Sequence, residues 1–182
     1  MRFKSLIVLL FVLLVGCGSG SKDGISADDL AIVKVDDESQ VVKYGMSRAE
    51  AEKVLGKGEK VKNLKNYFKY NSDVMIMYRN EKVVGISIGE ETADSYQTSN
   101  GLKIGMLKDE IKEIYGSQHL GDNESNLDYA YDSVNKKFLD GSSYPDTLEE
   151  NQKIYMISAM FDEDGYAYTI MLLDRQMAMQ GK

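Results

Sequence analysis

The sequence predicts an α+β fold in which two helix-plus-antiparallel-strand repeats form one joined sheet with the helices on one face. Three observations predict it. A Gly-Met motif at Gly45 returns at Gly105, a spacing of 60 residues, with the same helical pattern behind it. Each copy is followed by short alternating runs bounded by turn residues, as strands and hairpins are. A unit of about 60 residues removes only about 60% of its unfolded surface from water, so two units gain by sharing a sheet. The balance of the 182 residues fits a globular chain: 43% hydrophobic, 28% charged, net charge −7. It excludes a fully disordered chain, a collagen and a multi-span membrane protein. One Cys excludes an intramolecular disulfide, and one His excludes any site needing two imidazoles.

Taken in order, residues 1–16 read as an address rather than as structure. Arg2 and Lys4 precede a ten-residue apolar run, Leu6 to Val15. A spanning helix needs about 20 apolar residues, so the run is a signal-peptide core. Leu14-Val15-Gly16-Cys17 resembles the lipobox of bacterial lipoproteins, with the one thiol where that motif requires it. The resemblance implies cleavage between Gly16 and Cys17, lipidation of Cys17, and anchoring at the extracytoplasmic face of the cell membrane. Two acyl chains, such as palmitate, hold firmly where one does not. Gly18 follows the Cys, so nothing there would retain the protein at the inner membrane of a diderm host, which leaves its outer membrane open. Cleavage removes Arg2 and Lys4 and takes the net charge to −9. Residues 17–40 then form the lipidated Cys and a flexible, Gly/Ser-rich tether.

Repeat one covers 41–92. Ser47 caps a helix, Glu50 completes a capping box, and Ala51, Val54 and Leu55 make one apolar face. Gly56 supplies the left-handed stop. The strand-like runs are Tyr67–Tyr70, Val74–Arg79 and Val83–Ile88. After a linker at 93–98, repeat two covers 99–175. Ile111, Ile114, Tyr115 and Gly116 occupy the equivalent helix positions. Leu107 stands where Ser47 caps, so that start is weaker. Its strand runs are Asp128–Asp132, Ile154–Phe161 and Tyr166–Leu173. An insertion at 140–152 holds Tyr144 and the one Pro, Pro145. A tail, 176–182, follows.

The helix motif, used twice over about residues 41–175, resembles the tandem repeats of β-lactamase-inhibitor-protein-like domains. Used once, it is similar to the small outer-membrane assembly lipoproteins of the SmpA/BamE type. The residues that carry the likeness are Gly45, Met46, Ser47, Glu50, Leu55 and Gly56, then Gly105, Met106, Glu110, Ile111, Tyr115 and Gly116. The resemblance implies a non-enzymatic role, as an inhibitor of an extracytoplasmic hydrolase or as an assembly scaffold. The inhibitor carries a disulfide in each repeat; this chain has none.

No enzyme motif is found. His119 follows a helix stop with no Gly-x-Ser-x-Gly elbow, and phosphate-binding loops are missing. Asp162-Glu163-Asp164-Gly165 lacks calcium-loop spacing and reads as a hairpin turn. The expectation is therefore no catalytic residue, no metal and no cofactor. Residues 41–92 carry a net +3 and residues 99–175 a net −8. The Lys-rich stretch from Lys57 to Lys69 would suit nucleic acid inside a cell, but an acidic secreted lipoprotein meets none.

What remains is a recognition surface. One sheet face must meet the helices; the other carries exposed Tyr and Met. Alternation sets Tyr67 and Lys69 on one face and Phe68 and Tyr70 on the other. Tyr166 and Tyr168 share a face, as do Tyr155, Ile157, Ala159 and Phe161. The expected partner-binding residues are Tyr67, Lys69, Tyr144, Tyr155, Tyr166 and Tyr168. The function they imply is a lipid-anchored lipoprotein that recognises a protein or envelope component through its sheet face.

Overall fold

The structure is a computed structural model that describes residues 22–180. Gly16, Cys17 and the signal segment lie outside the described residues. The strands are β1 (Ala31–Lys34), β2 (Asp37–Lys43), β3 (Glu59–Lys60), β4 (Tyr67–Lys69), β5 (Met75–Arg79) and β6 (Lys82–Gly89). They continue as β7 (Tyr96–Thr98), β8 (Gly121–Asn123), β9 (Asn126–Asp132), β10 (Lys137–Phe138), β11 (Ile154–Phe161) and β12 (Ala167–Asp174). The helices are α1 (Arg48–Leu55), α2 (Lys108–Tyr115), α3 (Leu148–Asn151) and α4 (Arg175–Gln180).

The single joined sheet with helices on one face is not what forms. There are two sheets: β2-β1-β7, and a nine-stranded sheet ordered β10-β9-β11-β12-β6-β5-β4-β3, with β8 also paired to β9. The second sheet arises from segments read as tether and linker. Ile32 pairs with Val42 on one side and Thr98 on the other. All three are sealed from water, which makes their pairing worth the long connection. Helices also lie on both sides of the large sheet. α1 and α2 share its main core, whereas α4 packs Met177 against the opposite face with Met77 and Leu173. α3, inside the insertion, packs against α4.

Local chemistry explains α1 and α2. Ser47 Oγ accepts from the Glu50 N–H at 3.3 Å, and Glu50 Oε2 accepts from the Ser47 N–H at 2.9 Å. At α2 only the second half of that box exists: the Leu107 N–H donates to Glu110 Oε2 at 2.7 Å. Leucine has no side-chain acceptor to complete it. Gly56 and Gly116 both stop their helices at φ 81°, a conformation a Cβ disfavours. Each helix is then tied to its strand in the same way. Gly45 N–H donates to Val83 O at 2.8 Å, and Gly105 N–H to Ala167 O at 2.8 Å. Ser87 stands four residues after Val83 and Met171 four after Ala167, and these two pair where β6 meets β12. The likeness stops there: with α3, α4 and a separate small sheet, four helices and two sheets stand in place of the expected two-repeat pattern.

The core lies between the helix-side face of the large sheet and a layer of α1, α2 and the small sheet. Half of the twelve tyrosines belong to it or its margin: Tyr70, Tyr78, Tyr96, Tyr115, Tyr129 and Tyr131 are buried. Several satisfy their hydroxyls inside. Tyr70 and Tyr78 hydroxyls lie 2.6 Å apart, and Tyr129 OH donates to Gly116 O at 2.8 Å. Such pairings are what let an aromatic with a polar tip sit in a core.

Candidate functional site

The opposite face of the large sheet is partly open, and the ladder registers define its floor. One row across the strands reads Asp128, Ser158, Met171, Ser87, Met75, Lys69. The next reads Ala130, Met156, Leu173, Gly85, Met77, Tyr67. The central strand β6 contributes only Gly85 and Ser87 to these rows, while its neighbours contribute Met and Leu. The result is a trough. At Gly85 an added Cβ would lie 2.5 Å from Met77 Sδ, so Met77 lies across the space its neighbour leaves.

One end of the trough is closed by α4, whose position is set by Asp174 at the end of β12. The Asp174 side chain is fully buried and fully partnered. Arg79 Nη2 donates to Oδ2 at 2.5 Å and Nη1 to Oδ1 at 3.2 Å. Tyr44 OH donates to Oδ2 at 2.7 Å, and the Met177 N–H to Oδ1 at 2.8 Å. Burial, then the bond to Asp174, pushes the Tyr44 hydroxyl well above its ordinary value, so it stays a donor. α4 is held in turn from outside. Arg175 stacks 3.6 Å above the Tyr144 ring and donates to Asn151 Oδ1. Asn151 Nδ2 donates to Pro145 O and Thr147 O at 2.9 and 2.7 Å, which fixes the insertion.

Between α4 and the strands lies a groove of about 900 Å³. Six of the ten methionines line it: Met75, Met77, Met156, Met171, Met177 and Met179. Its polar groups are few. Ser158 donates to Asp128, and Asn126 Nδ2 lies 3.2 Å from the same carboxylate. Chemically the groove offers a soft, adaptable apolar floor with a carboxylate at one rim and a guanidinium at the other.

The residues expected at a partner surface divide. Tyr67 lines the groove, and burial raises its hydroxyl pKa. Lys69 ends the first row but is paired with Asp73 at 3.0 Å. Tyr144 is at the groove's margin through Arg175. Tyr155 is on the other side of the sheet, edge-on to Tyr44 at 5.5 Å. Tyr166 and Tyr168 are exposed near the β11–β12 turn, outside the groove; the Tyr168 hydroxyl lies 3.8 Å from Met160 Sδ. The sequence predicts Met on the open face without fixing which ones, and Arg175 is not among the expected residues. Met75 and Met77 at alternate positions were the visible signal, but alternation cannot say which face is open. His119 sits in a surface loop, 3.7 Å from Asp122.

Comparison with family models, with curated proteins and with solved structures found no match.

Proposed function

We propose that this chain is a lipid-anchored, non-enzymatic binding protein at the extracytoplasmic face of the membrane. It is tethered through Cys17 and recognises a protein or envelope component through the open face of its large sheet. The groove carries this reading. A concave, mainly apolar surface with few polar groups is the usual form of a binding site, and its volume lies in the usual range. Methionine suits it, because an unbranched thioether adapts to an occupant.

The entry point of the chain supports the same reading. Lys22 N–H donates to Ile114 O at the end of α2, on the helix side of the large sheet. Cys17 precedes it by five residues, a reach of about 17 Å at most. The groove thus opens on the side of the sheet away from the anchor's entry.

Photo-crosslinking in intact membranes tests the proposal. A diazirine residue at Ser87, on the groove floor, should give a defined adduct; one at Val35, exposed in the turn between β1 and β2, should not. Met171→Asp should abolish the Ser87 adduct, and Cys17→Ala should move the protein out of the membrane fraction. Equal adducts at both positions would remove the sheet face from the reading.

A further inference from the structure

The groove is apolar along its floor but not at its ends. Arg175 stands just past the end of β12 and lines it. A guanidinium has five N–H donors. Here Nη1 serves Asn151 Oδ1 and lies 3.3 Å from Met179 Sδ. Among the described residues no carboxylate pairs with this cation and no protein acceptor takes its Nε or Nη2. Its plane is nevertheless fixed, by Tyr144 beneath it and Asn151 beside it. A pre-oriented guanidinium with a free edge suits a two-oxygen anion.

Asp128 lies in the row of Met171, about 14 Å farther along the strand direction than Arg175. It disfavours an anion at that rim and orients an occupant with its negative end on Arg175. Between the two rims lie Met156, Met171, Met77, Met177 and Leu173. They offer dispersion contacts and almost no hydrogen-bonding groups. The backbone beneath them is committed to the ladders of a central sheet. An extended peptide laid there would bury its amides without partners, which costs heavily. A hydrocarbon chain makes no such demand.

We propose that the groove binds a single-chain anionic amphiphile, with its carboxylate or phosphate head on Arg175 and its acyl chain along the methionine floor. This rests on the sheet-face reading above and names its ligand class.

The test uses the full chain in membrane vesicles and a photoreactive, alkyne-tagged long-chain fatty acid. Adducts should map to β5, β12 and α4. Oleic acid and lysophosphatidic acid should both compete, whereas oleyl alcohol, the same chain without charge, should not. Arg175→Leu should weaken labelling by about tenfold or more, the loss of a charge-assisted contact. Arg175→Lys should restore part of it. Because Arg175→Leu also loosens α4, Met171→Glu provides a second variant: it spares the contacts of Arg175 with Asn151 and Tyr144 and should repel the anionic probe. Asp128→Asn should not reduce labelling. Competition by oleyl alcohol equal to that by oleic acid, or adducts spread over the whole surface, would overturn the proposal. A protein adduct at Ser87 with no fatty-acid labelling would overturn it while leaving the sheet-face reading standing. Loss of both would end the two together.

Discussion

Arg79 at the end of β5 grips Asp174 at the end of β12, two strands away across β6, with Nη2 2.5 Å from Oδ2. The acceptor is sealed from water, and its other contacts come from Tyr44 and the first turn of α4. One carboxylate therefore joins the small sheet's connection to α1, the large sheet and the helix that closes the groove. Asp174→Ala leaves a partly buried guanidinium without its anion and α4 without its cap. The expected loss is about 3–5 kcal/mol, the range for breaking a buried pair from one side. Urea unfolding monitored by far-UV circular dichroism measures it. A loss under about 1 kcal/mol, the scale of an exposed pair, would show that the bridge is not structural.

Gly56 and Gly116 share φ 81°, and a Cβ at Gly56 would meet nothing within 4 Å. The cost of Gly56→Ala is thus conformational rather than a clash with a neighbour, about 1–3 kcal/mol, because at ψ −167° the residue lies in a region essentially confined to glycine. Gly116→Ala should cost a similar amount, because its backbone conformation is the same. Gly85→Ala is different in kind: its backbone tolerates the change, but the new methyl must displace Met77 Sδ. It should alter groove labelling more than either cap substitution does. Equal effects of all three on labelling would contradict the groove's geometry.

Alkaline titration should unfold the core. Burial pushes the Tyr129 hydroxyl from its ordinary 10.0 up to about 12, and Tyr78 and Tyr115 move the same way. A raised folded-state value means the protein favours the neutral phenol. That contribution is complete below pH 10.0 and is lost as pH rises toward and through about 12. Thermal melts at stepped pH should stay flat at neutrality and fall above about pH 10. Tyr129→Phe should soften the alkaline fall, at the cost of the bond to Gly116 O. An unchanged alkaline slope in that variant would remove Tyr129 as a contributor.

These elements were unequally legible in the chain. The α1 start at Ser47 and the stop at Gly56 rest on contacts three or four residues apart, so local sequence carries them. The runs that became β5, β6, β11 and β12 were visible for the same reason, since each hairpin closes over a short turn. β1 and β7 were not. They pair Ile32 with Thr98, far apart along the chain, and neither segment shows a pattern until its partner is known. The open face was hidden by geometry. An irregularity in register at Met77–Tyr78 breaks strict alternation, so Val84 and Gly85 both fall on the groove side of β6 while Val83 and Ile86 face the helices. Tyr155 was grouped correctly with Ile157 and Ala159, but that group faces the helices and not a partner.

The insertion yields the last expectation. A passive acidic loop could be cut without consequence, and a loop serving only to touch a partner would leave stability unchanged. Neither fits its contacts. Asn151 is 1% exposed and spends both amide hydrogens on the insertion's own carbonyls, while its oxygen receives Arg175. Tyr144 supplies the face on which that guanidinium rests. Tyr144→Ala removes the stacking and part of a small cluster with Ala130, Leu139 and Ile154. The expected loss is about 1–2 kcal/mol, as for a cation–aromatic contact of which one side is desolvated. Hydrogen exchange should locate that loss in α4, since α4 is the element the loop holds, and leave α1 and α2 protected as before. Loosening confined to residues 140–152, with α4 unaffected, would mean that the loop folds on itself and does not brace the groove.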